Sequence, residues 1–263
     1  KLVPVIIVLL TCIVMGVVGD AEASDWPHVG GDAGGRKFSS SGEITAENVR
    51  GLQIAWRYST GDLERLRRSG ESYKFQTTPI LFEDSLIFCT PYNDVIALDP
   101  GTGAEKWRFD AQLPDVSPTG NGVNCRGVTA WVDPAAGARD VCAARIFTGT
   151  NDARLIALDA RTGHPCTDFG ENGHVGIDPA QTSAFRGEFQ ITSPPVVVSG
   201  VLITGSAIGD NMRADAHKGT VRAFDARTGA PRWVFDPIPR DDDAFALSNW
   251  RGGSGATGHA NVW

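Results

Sequence analysis

Four cysteines are the first side chains whose type and spacing could support chemistry: Cys89, Cys125, Cys142 and Cys166. No two of them have the C-x-x-C spacing and none clusters with histidine, so the sequence argues against a zinc site. An even number of cysteines in an exported chain indicates disulfide bonds, and the sequence leaves all three pairings open. Buried free thiols are the alternative, above all for Cys89, which has apolar neighbours.

Acidic side chains outnumber basic ones by 31 to 24, which gives the chain a net charge of −7. A nucleic-acid partner would require a basic surface that displaces counterions from phosphate, so this composition argues against one. The densest acidic run, residues 241–243, follows Pro237 and Pro239. We interpret it as a solvated loop rather than as a catalytic acid cluster.

An uncharged run, residues 2–18, follows Lys1 and precedes Ala21-Glu22-Ala23. This pattern is typical of a secretory signal that is cleaved after Ala23. A truncated membrane anchor is the alternative, since a run of this length is at the short end of what spans a bilayer. Under both interpretations, the remainder of the chain is exported. We therefore divide the chain into a signal peptide or truncated anchor, residues 1–23, and an exported part, residues 24–263. The chain is interpreted as a fragment of a longer protein.

One motif, Ala-x-Asp-x-x-Thr-Gly, occurs at residues 97–103, 157–163 and 223–229. The Asp carboxylate can accept backbone N–H groups within a turn and the Gly can adopt a positive φ, so the motif predicts a tight β-hairpin. An aromatic strand follows the first and third copies, at Trp107 and Trp233. The second copy has Cys166 and Phe169 in that region instead. Trp56 indicates the closing strand of an earlier unit.

Each motif also follows a short β-rich run, at residues 85–90, 145–150 and 201–205. Repeated units of this kind predict an all-β fold, a propeller of four-stranded blades, of which about four would fit in this length. A β-sandwich is a weaker alternative because it would not repeat one turn three times. Beyond the N-terminus we expect no long helix, and only one short helical turn near residues 46–52.

The chain resembles the pyrroloquinoline quinone (PQQ)-dependent dehydrogenases of the bacterial periplasm, whose propeller has eight blades. The N-terminal segment around Trp26-Pro27 and Gly34-Gly35 is similar to theirs, and the repeats are similar to the tryptophan docking motifs that join their neighbouring blades. Four segments look most like the membrane-associated glucose dehydrogenase branch: Gln76-Thr77-Thr78-Pro79, Cys89-Thr90-Pro91, Cys125-Arg126-Gly127-Val128 and Thr192-Ser193-Pro194-Pro195. That branch has transmembrane helices before its propeller, which keeps the anchor interpretation of residues 2–18 open beside the signal peptide.

The resemblance implies a set of residues that bind the cofactor. PQQ is a flat quinone with three carboxylates, so its site requires cationic and hydroxyl donors and an aromatic face. Arg126 matches the family arginine that contacts PQQ, and Gln76 matches a position that supplies an amide to its rim. Thr192 and Ser206 match hydroxyl donors to the carboxylates, and Trp263 matches the tryptophan that stacks beneath the quinone ring.

The resemblance also implies a calcium ion that polarises the reactive carbonyl. Asp210 and Asn211 lie near the position of a family ligand, and oxygen ligands of this kind suit calcium. An Asx turn is the alternative for this pair. Tyr92 replaces a histidine that is common in glucose dehydrogenases, so the substrate need not be glucose if this side chain faces it. The family base follows the stacking tryptophan, so we assign no catalytic residue within this chain.

The implied activity is the oxidation of a sugar or polyol hydroxyl in the periplasm, with inner-membrane anchoring as an option. Electrons would pass to a membrane quinone such as ubiquinone. One alternative is a PQQ-dependent alcohol dehydrogenase that reduces cytochrome c, although Gly120-Asn121 stands where those enzymes have two adjacent cysteines. Another is a non-catalytic propeller scaffold. Half a propeller has open strand edges, so this chain alone is expected to be inactive.

Overall fold

The computed structural model describes residues 26–69, 73–114, 120–177, 185, 187–209, 211–212, 216–238, 248–254 and 261–262. Residues 1–23, the acidic run 241–243, Asp210 and Trp263 lie outside this described part. Among the described residues, no helix has the length and apolar character that a membrane crossing requires.

The described chain is built almost entirely of short strands. One α-helix, α1, spans Asp62–Ser69, and 3-10 turns occur at Val49–Gly51 and Arg251–Gly253. The strands are β1 (Tyr73–Phe75), β2 (Ile80–Phe82), β3 (Ser85–Cys89), β4 (Val95–Leu98), β5 (Glu105–Phe109), β6 (Val123–Cys125), β7 (Thr129–Val132), β8 (Ala144–Gly149), β9 (Arg154–Asp159), β10 (His174–Gly176), β11 (Phe189–Gln190), β12 (Val196–Val198), β13 (Val201–Thr204), β14 (Ala207–Ile208), β15 (Val221–Asp225) and β16 (Pro231–Phe235).

Twelve of these strands form three antiparallel four-stranded sheets, which we name the first, second and third blades. The first blade has the strand order β2-β3-β4-β5, the second β7-β8-β9-β10 and the third β12-β13-β15-β16. The all-β blade architecture predicted from the repeats is therefore confirmed. A parallel pair, β1–β6, and an antiparallel pair, β11–β14, lie outside the blades.

The repeated motif forms the same hairpin turn in every blade. In the first blade, Oδ1 of Asp99 accepts hydrogen bonds from the backbone N of Thr102 at 2.8 Å and from its hydroxyl at 2.7 Å. The corresponding turns of the other two blades repeat both bonds. The glycines that end the turns have φ values of 71° or 72°: Gly103, Gly163 and Gly229. The predicted hairpin is thus confirmed together with its cause.

Tryptophans of one unit dock on the turn of the next blade, as the resemblance implies. The indole of Trp56 donates to the carbonyl of Pro100 at 3.0 Å in the first-blade turn, and Trp107 donates to Ala160 at 3.1 Å in the second-blade turn. A Cβ added to Gly163 would lie only 2.5 Å from the Trp107 ring. Glycine is therefore required at this position both for its φ and for the close approach of the indole.

The strand predicted around Trp56 is wrong. Residues 52–60 form no strand in the structure, so the described part contains three blades rather than about four. A strand requires a hydrogen-bonded neighbour, and the described residues offer none to this segment. The short helical turn expected near residues 46–52 is present at Val49–Gly51.

The second blade replaces the docking tryptophan with a loop, consistent with the departure noted in its sequence. The loop places Phe169 in the core with no exposed surface. The backbone N of Gly170 donates to the carbonyl of Thr228 in the third-blade turn at 2.9 Å. A Cβ on Gly229 would lie 2.7 Å from Val175. On the third-blade turn, this loop therefore occupies the place that a docking indole occupies on the turns of the first and second blades.

Arg145 joins the second and third blades at the same rim. Its side chain is 2% exposed and donates to the carbonyls of Cys142 at 3.0 Å and Arg227 at 2.7 Å, and to Asp168 at 2.5 Å. Arg227 in turn forms a two-bond ion pair with Asp133. Because the buried guanidinium has several partners, its burial cost is offset.

The apolar core lies between neighbouring blades. One cluster combines the first and second blades through side chains such as Ile87 and Ile146. A second cluster combines the second and third blades through Leu155, Leu202 and Phe224. Each blade thus buries its faces on its neighbours, which is the principle of a propeller.

Two disulfide bonds are formed, Cys89–Cys125 and Cys142–Cys166. The alternative of a free thiol at Cys89 is therefore wrong. Cys89–Cys125 links the end of β3 to the end of β6, whereas Cys142–Cys166 links the segment before β8 to the loop that replaces the docking tryptophan.

Both disulfides are expected to be intact in this chain when it is produced under oxidising conditions, and this can be measured by thiol titration. Denatured but unreduced protein should titrate with one thiol at most, that of Cys12, and reduction should release the other four. Replacing Cys89 and Cys125 together with serine is expected to lower the free energy of unfolding by about 2–5 kcal/mol, because the unfolded chain then loses a cross-link. Detection of four or five thiols before reduction would contradict the pairing.

The third-blade turn predicts a pH dependence of stability. Burial raises the pKa of Asp225, but hydrogen bonds from Thr228 and Arg232 outweigh it and lower this pKa to about 2. A depressed carboxyl pKa stabilises the folded state above the unfolded pKa of about 4, and this contribution disappears as the pH falls through 2. Asp225→Asn is therefore expected to unfold at lower urea concentration than wild type at pH 7, with a gap that shrinks towards pH 2. A gap that is the same at both pH values would contradict this origin.

Candidate functional site

The segments that lead into the first strand of each blade lie side by side. The backbone N of Thr78 donates to the carbonyl of Arg126 at 3.0 Å, and the backbone N of Arg126 donates to the carbonyl of Thr192 at 2.9 Å. Thr78 precedes the first blade, Arg126 the second and Thr192 the third. Arg126 therefore occupies the centre of a backbone connection across three blades.

Arg126 and Thr192 also meet through their side chains. Nη1 of Arg126 donates to Oγ1 of Thr192 at 2.5 Å. Arg126 is half-buried and Thr192 is 4% exposed. Burial lowers the pKa of Arg126, but a guanidinium stays protonated at neutral pH. The pair thus presents a partly desolvated positive charge whose orientation is fixed by a neighbouring blade.

Ser206 lies on the same small cavity as Thr192. The cavity has a volume of about 10 Å³, and its described lining is Thr192, Ser193, Gly205, Ser206, Ala207 and Val262. The Ser206 hydroxyl donates to the carbonyl of Thr220 at 3.1 Å, and its backbone exchanges bonds of 2.7 and 3.1 Å with Val262. The predicted stacking residue, Trp263, directly follows Val262 but lies outside the described residues. The structure therefore brings Arg126, Thr192 and Ser206 together.

Gln76 follows β1 next to Arg126. In the parallel pair β1–β6, Phe75 is opposite Cys125, which places Gln76 beside Arg126 in the register. Gln76 is exposed, and its Oε1 accepts a hydrogen bond from Nδ2 of Asn124 at 2.9 Å. The Cys89–Cys125 disulfide anchors the residue before Arg126 to the first blade. Gln76 is thus positioned on the same side of the molecule as the Arg126–Thr192 pair.

Tyr92 is buried rather than open to a cavity. Its ring is 7% exposed, packs near Val123 and Leu113, and is covered by the guanidinium of Arg65 at 4.3 Å. Arg65 also approaches Asp94 at 3.4 Å. The contact of Tyr92 with a substrate stays a prediction.

Helix α1, which carries Arg65, was missed by sequence reasoning. Its signal is present in the sequence, because acidic residues occupy the first turn and basic residues the last turn, which favours the helix dipole. The helix has eight residues, which is too short for the apolar periodicity that identifies a helix in a sequence.

The predicted calcium ligands remain a prediction. Asn211 lies in an exposed turn and Asp210 is outside the described residues. In the part of the chain that the structure describes, one group of potential metal ligands is close enough to hold an ion: Cys142, Cys166 and Asp168. Its two sulfurs form a disulfide with each other, so this group is not a metal site.

Comparison with known proteins identifies the family of this chain. A family model described as "PQQ: Glucose/ethanol/alcohol dehydrogenase, beta-propeller domain" matches residues 26–263. The chain belongs to this PQQ-dependent dehydrogenase family. The resemblance inferred from the repeats and the N-terminal segment is thus confirmed.

Two relatives and one solved structure of this PQQ family illustrate the similarity. The chain is 35% identical over 240 residues to quinoprotein glucose dehydrogenase A of Acinetobacter calcoaceticus, covering 87% of this chain and 30% of the relative. It is 37% identical over 231 residues to the quinate/shikimate dehydrogenase (quinone) of Acinetobacter baylyi, covering 81% and 28%. The crystal structure of quinohemoprotein alcohol dehydrogenase from Comamonas testosteroni superimposes with a TM-score of 0.64 at 28% identity, covering 84% of this chain and 28% of that chain. The chain spans less than a third of the length of these relatives.

The residues around Arg126 fit the cofactor after which the PQQ family is named. Charge-assisted hydrogen bonds from a guanidinium are suited to carboxylates, and hydroxyl groups are suited to their remaining lone pairs. The described lining of the Ser206 cavity contains no acidic side chain that would repel an anion. The cavity beside Ser206, at about 10 Å³, is about the size of one water molecule and far smaller than the roughly 300–1,000 Å³ of ligand pockets. The described residues alone therefore do not enclose a ligand.

Proposed function

We propose that this chain forms part of the cofactor-binding propeller of a PQQ-dependent dehydrogenase that oxidises a sugar or polyol hydroxyl. The observation that carries the proposal is the contact between Arg126 and Thr192, two predicted cofactor residues that come from different blades and share one hydrogen bond of 2.5 Å. The whole second blade lies between these two residues in the sequence, and a backbone hydrogen bond of 2.9 Å holds their segments side by side. Membership of the PQQ family supports the cofactor.

Each residue of the site has a distinct role in this proposal. Arg126 holds an anionic edge of PQQ, and Thr192 fixes the direction of the guanidinium. Gln76 donates its amide to the rim, with its Oε1 held by Asn124. Ser206 would have to turn its hydroxyl away from the Thr220 carbonyl in order to donate to the cofactor. Bound PQQ supplies the two-electron acceptor for the oxidation.

The remaining elements of the site are proposed from the family pattern. Trp263 stacks on the cofactor, and Asp210 with Asn211 contributes oxygen ligands to a calcium ion. Tyr92 lies near the substrate, and its burial beneath Arg65 means that it acts through packing unless Arg65 moves. No residue of this chain is proposed as the catalytic base.

The substrate class is supported by the relatives, whose names include dehydrogenases of glucose, quinate or shikimate, and glycerol. A sugar or polyol hydroxyl is common to these. An alcohol dehydrogenase that passes electrons to cytochrome c is the second candidate, favoured by the TM-score of 0.64 to a quinohemoprotein alcohol dehydrogenase. For the main candidate, we propose a periplasmic location, residues 1–23 as export signal or anchor, and a membrane quinone as the acceptor.

Dye-linked turnover tests this function. The full-length polypeptide that contains this chain is loaded with PQQ and calcium, and dye reduction is followed with glucose, glycerol, quinate and ethanol in turn. The proposal predicts PQQ-dependent reduction with at least one of the first three and weaker reduction with ethanol. Preference for ethanol would favour the alcohol dehydrogenase. A folded, PQQ-saturated protein that oxidises none of a broad panel of hydroxyl compounds would contradict both.

A further inference from the structure

A fully buried asparagine, Asn151, joins the inner turns of two blades. It lies in the turn between β8 and β9 with no exposed surface. Its Nδ2 donates to the carbonyl of Pro91 at 2.9 Å and to Oδ1 of Asn93 at 2.8 Å, and its backbone N donates to the same Oδ1 at 2.8 Å. Pro91 and Asn93 belong to the equivalent turn of the first blade, between β3 and β4. Asn151 therefore fixes the second blade to the first.

The other side of the same amide reaches towards the third blade. Oδ1 of Asn151 accepts hydrogen bonds from Nε2 of Gln190 at 3.1 Å and from the backbone N of Asn124 at 3.4 Å. Gln190 lies in β11, which leads into the third blade, and it also donates to the carbonyl of Gly122 at 3.1 Å. One buried side chain thus contacts residues that precede or belong to all three blades.

This amide cluster adjoins the candidate cofactor site along two chain segments. Asn124 is two residues before Arg126, and Gln190 is two residues before Thr192. Two residues of extended chain span about 7 Å. Asn124 also donates to Gln76. The partners of Asn151 are therefore linked to three predicted cofactor residues. Asn124 is linked to Arg126 along the chain and to Gln76 by a hydrogen bond. Gln190 is linked to Thr192 along the chain.

The cluster is costly as a purely structural element. All four amides, those of Asn93, Asn124, Asn151 and Gln190, are at most 2% exposed. Three of their polar atoms have no hydrogen-bond partner among the residues that the structure describes: Nδ2 of Asn93, Oδ1 of Asn124 and Oε1 of Gln190. An unpaired buried polar atom costs about 1–3 kcal/mol, whereas apolar groups of the same shape would be nearly neutral. Stability alone therefore does not explain why these four amides are buried here. Their presence is explained if they orient the neighbouring groups.

We propose that Asn151 is a positioning residue of the cofactor site, holding Arg126, Thr192 and Gln76 in register by tying their strands together. This inference rests on the proposed function, since it concerns the geometry in which that site binds PQQ. Asn151 is not a catalytic residue, because it acts through Asn124 and Gln190.

The test uses the full-length polypeptide, stripped of cofactor and titrated with PQQ in calcium-containing buffer well below the unfolding temperature. Asn151→Ala and Asn151→Asp are expected to weaken PQQ binding about tenfold, the equivalent of about 1.4 kcal/mol. Gln190→Met removes the third-blade partner and provides a second variant if Asn151→Ala does not fold. Arg227→Gln is the matched control, since it breaks a tie between the second and third blades away from the amide cluster. It should lower the unfolding temperature without changing PQQ affinity.

A double-mutant cycle separates positioning from general destabilisation. If Asn151 acts through Arg126, Asn151→Ala should cost little further affinity in a protein that already carries Arg126→Gln. Equal additional losses in both backgrounds would overturn the proposal, as would wild-type affinity in Asn151→Ala and Gln190→Met. These results concern variants relative to wild type. Failure of the wild-type protein to bind PQQ would instead overturn the proposed function itself.

Discussion

Replacing Arg126 with glutamine is expected to weaken PQQ binding about 100-fold while leaving the fold intact. Hydrogen bonds to a charged group contribute about 1.5–3 kcal/mol, and each 1.4 kcal/mol is a factor of ten in affinity. The guanidinium of Arg126 is already half-buried and oriented by Thr192, so little ordering cost remains when the ligand binds. Fluorescence titration of the cofactor-free full-length protein with PQQ measures the effect.

Two further arginine variants control this experiment. Arg126→Lys should bind with intermediate affinity, because an ammonium keeps the charge but not the planar fork of donors. Arg108→Gln removes an exposed arginine of β5 whose contacts include Tyr58, Thr60, Asp94 and Glu105, none of which is a predicted cofactor residue. Its PQQ affinity should stay within about twofold of wild type. Equal losses in Arg126→Gln and Arg108→Gln would mean that Arg126 has no specific contact with the cofactor.

Replacing Trp107 with alanine is expected to lower the free energy of unfolding by about 3–5 kcal/mol, as for other large buried aromatic side chains. The side chain is 8% exposed, its indole donates to Ala160 in the next blade, and its ring packs on Gly163. The variant therefore loses both apolar burial and the link between the first two blades. Urea unfolding of this chain measures the change.

Trp233 is the matched control for Trp107, because it occupies the same position of the repeat in the third blade. In the described residues no turn packs on it, and it is 45% exposed. Trp233→Ala is expected to cost less than about 1 kcal/mol in this chain. If both variants lose the same stability, docking on the following turn is not what makes Trp107 important.

The repeated turn shows why much of the fold could be predicted from the sequence. A turn is a local structure, and the carboxylate of Asp99, the hydroxyl of Thr102 and the positive φ of Gly103 are determined within five residues. Three copies of such a turn at similar spacing then predict blades. The docking of Trp107 was predicted only from the family resemblance, because its partner Ala160 lies 53 residues further along the chain.

The parts that could not be predicted depend on contacts between distant segments. The pairing of Cys89 with Cys125 is one of three that the sequence allows, and it depends on the fold bringing the end of β3 next to the end of β6. The loop that replaces tryptophan docking in the second blade depends on Arg145, whose partners lie as far away as Arg227. The strand predicted around Trp56 does not form, because a high strand propensity does not by itself supply a neighbouring strand to pair with.

The candidate site divides in the same way. The cofactor-binding roles of Arg126 and Thr192 were predicted from the resemblance, and the structure adds that the two side chains share one hydrogen bond. The amide cluster around Asn151 carries no sequence signal, because isolated asparagines and glutamines are common in loops. Only the fold brings Asn93, Asn151 and Gln190 together.

The most direct test of the account is a calorimetric titration of the cofactor-free, full-length polypeptide with PQQ, in the presence of calcium and again with magnesium. The account predicts saturable binding of one PQQ per polypeptide with at least one of these ions, and a large loss of affinity in Arg126→Gln. A folded protein that gives no saturable binding with either ion would contradict it, because the convergence of Arg126, Thr192 and Ser206 would then serve no PQQ site.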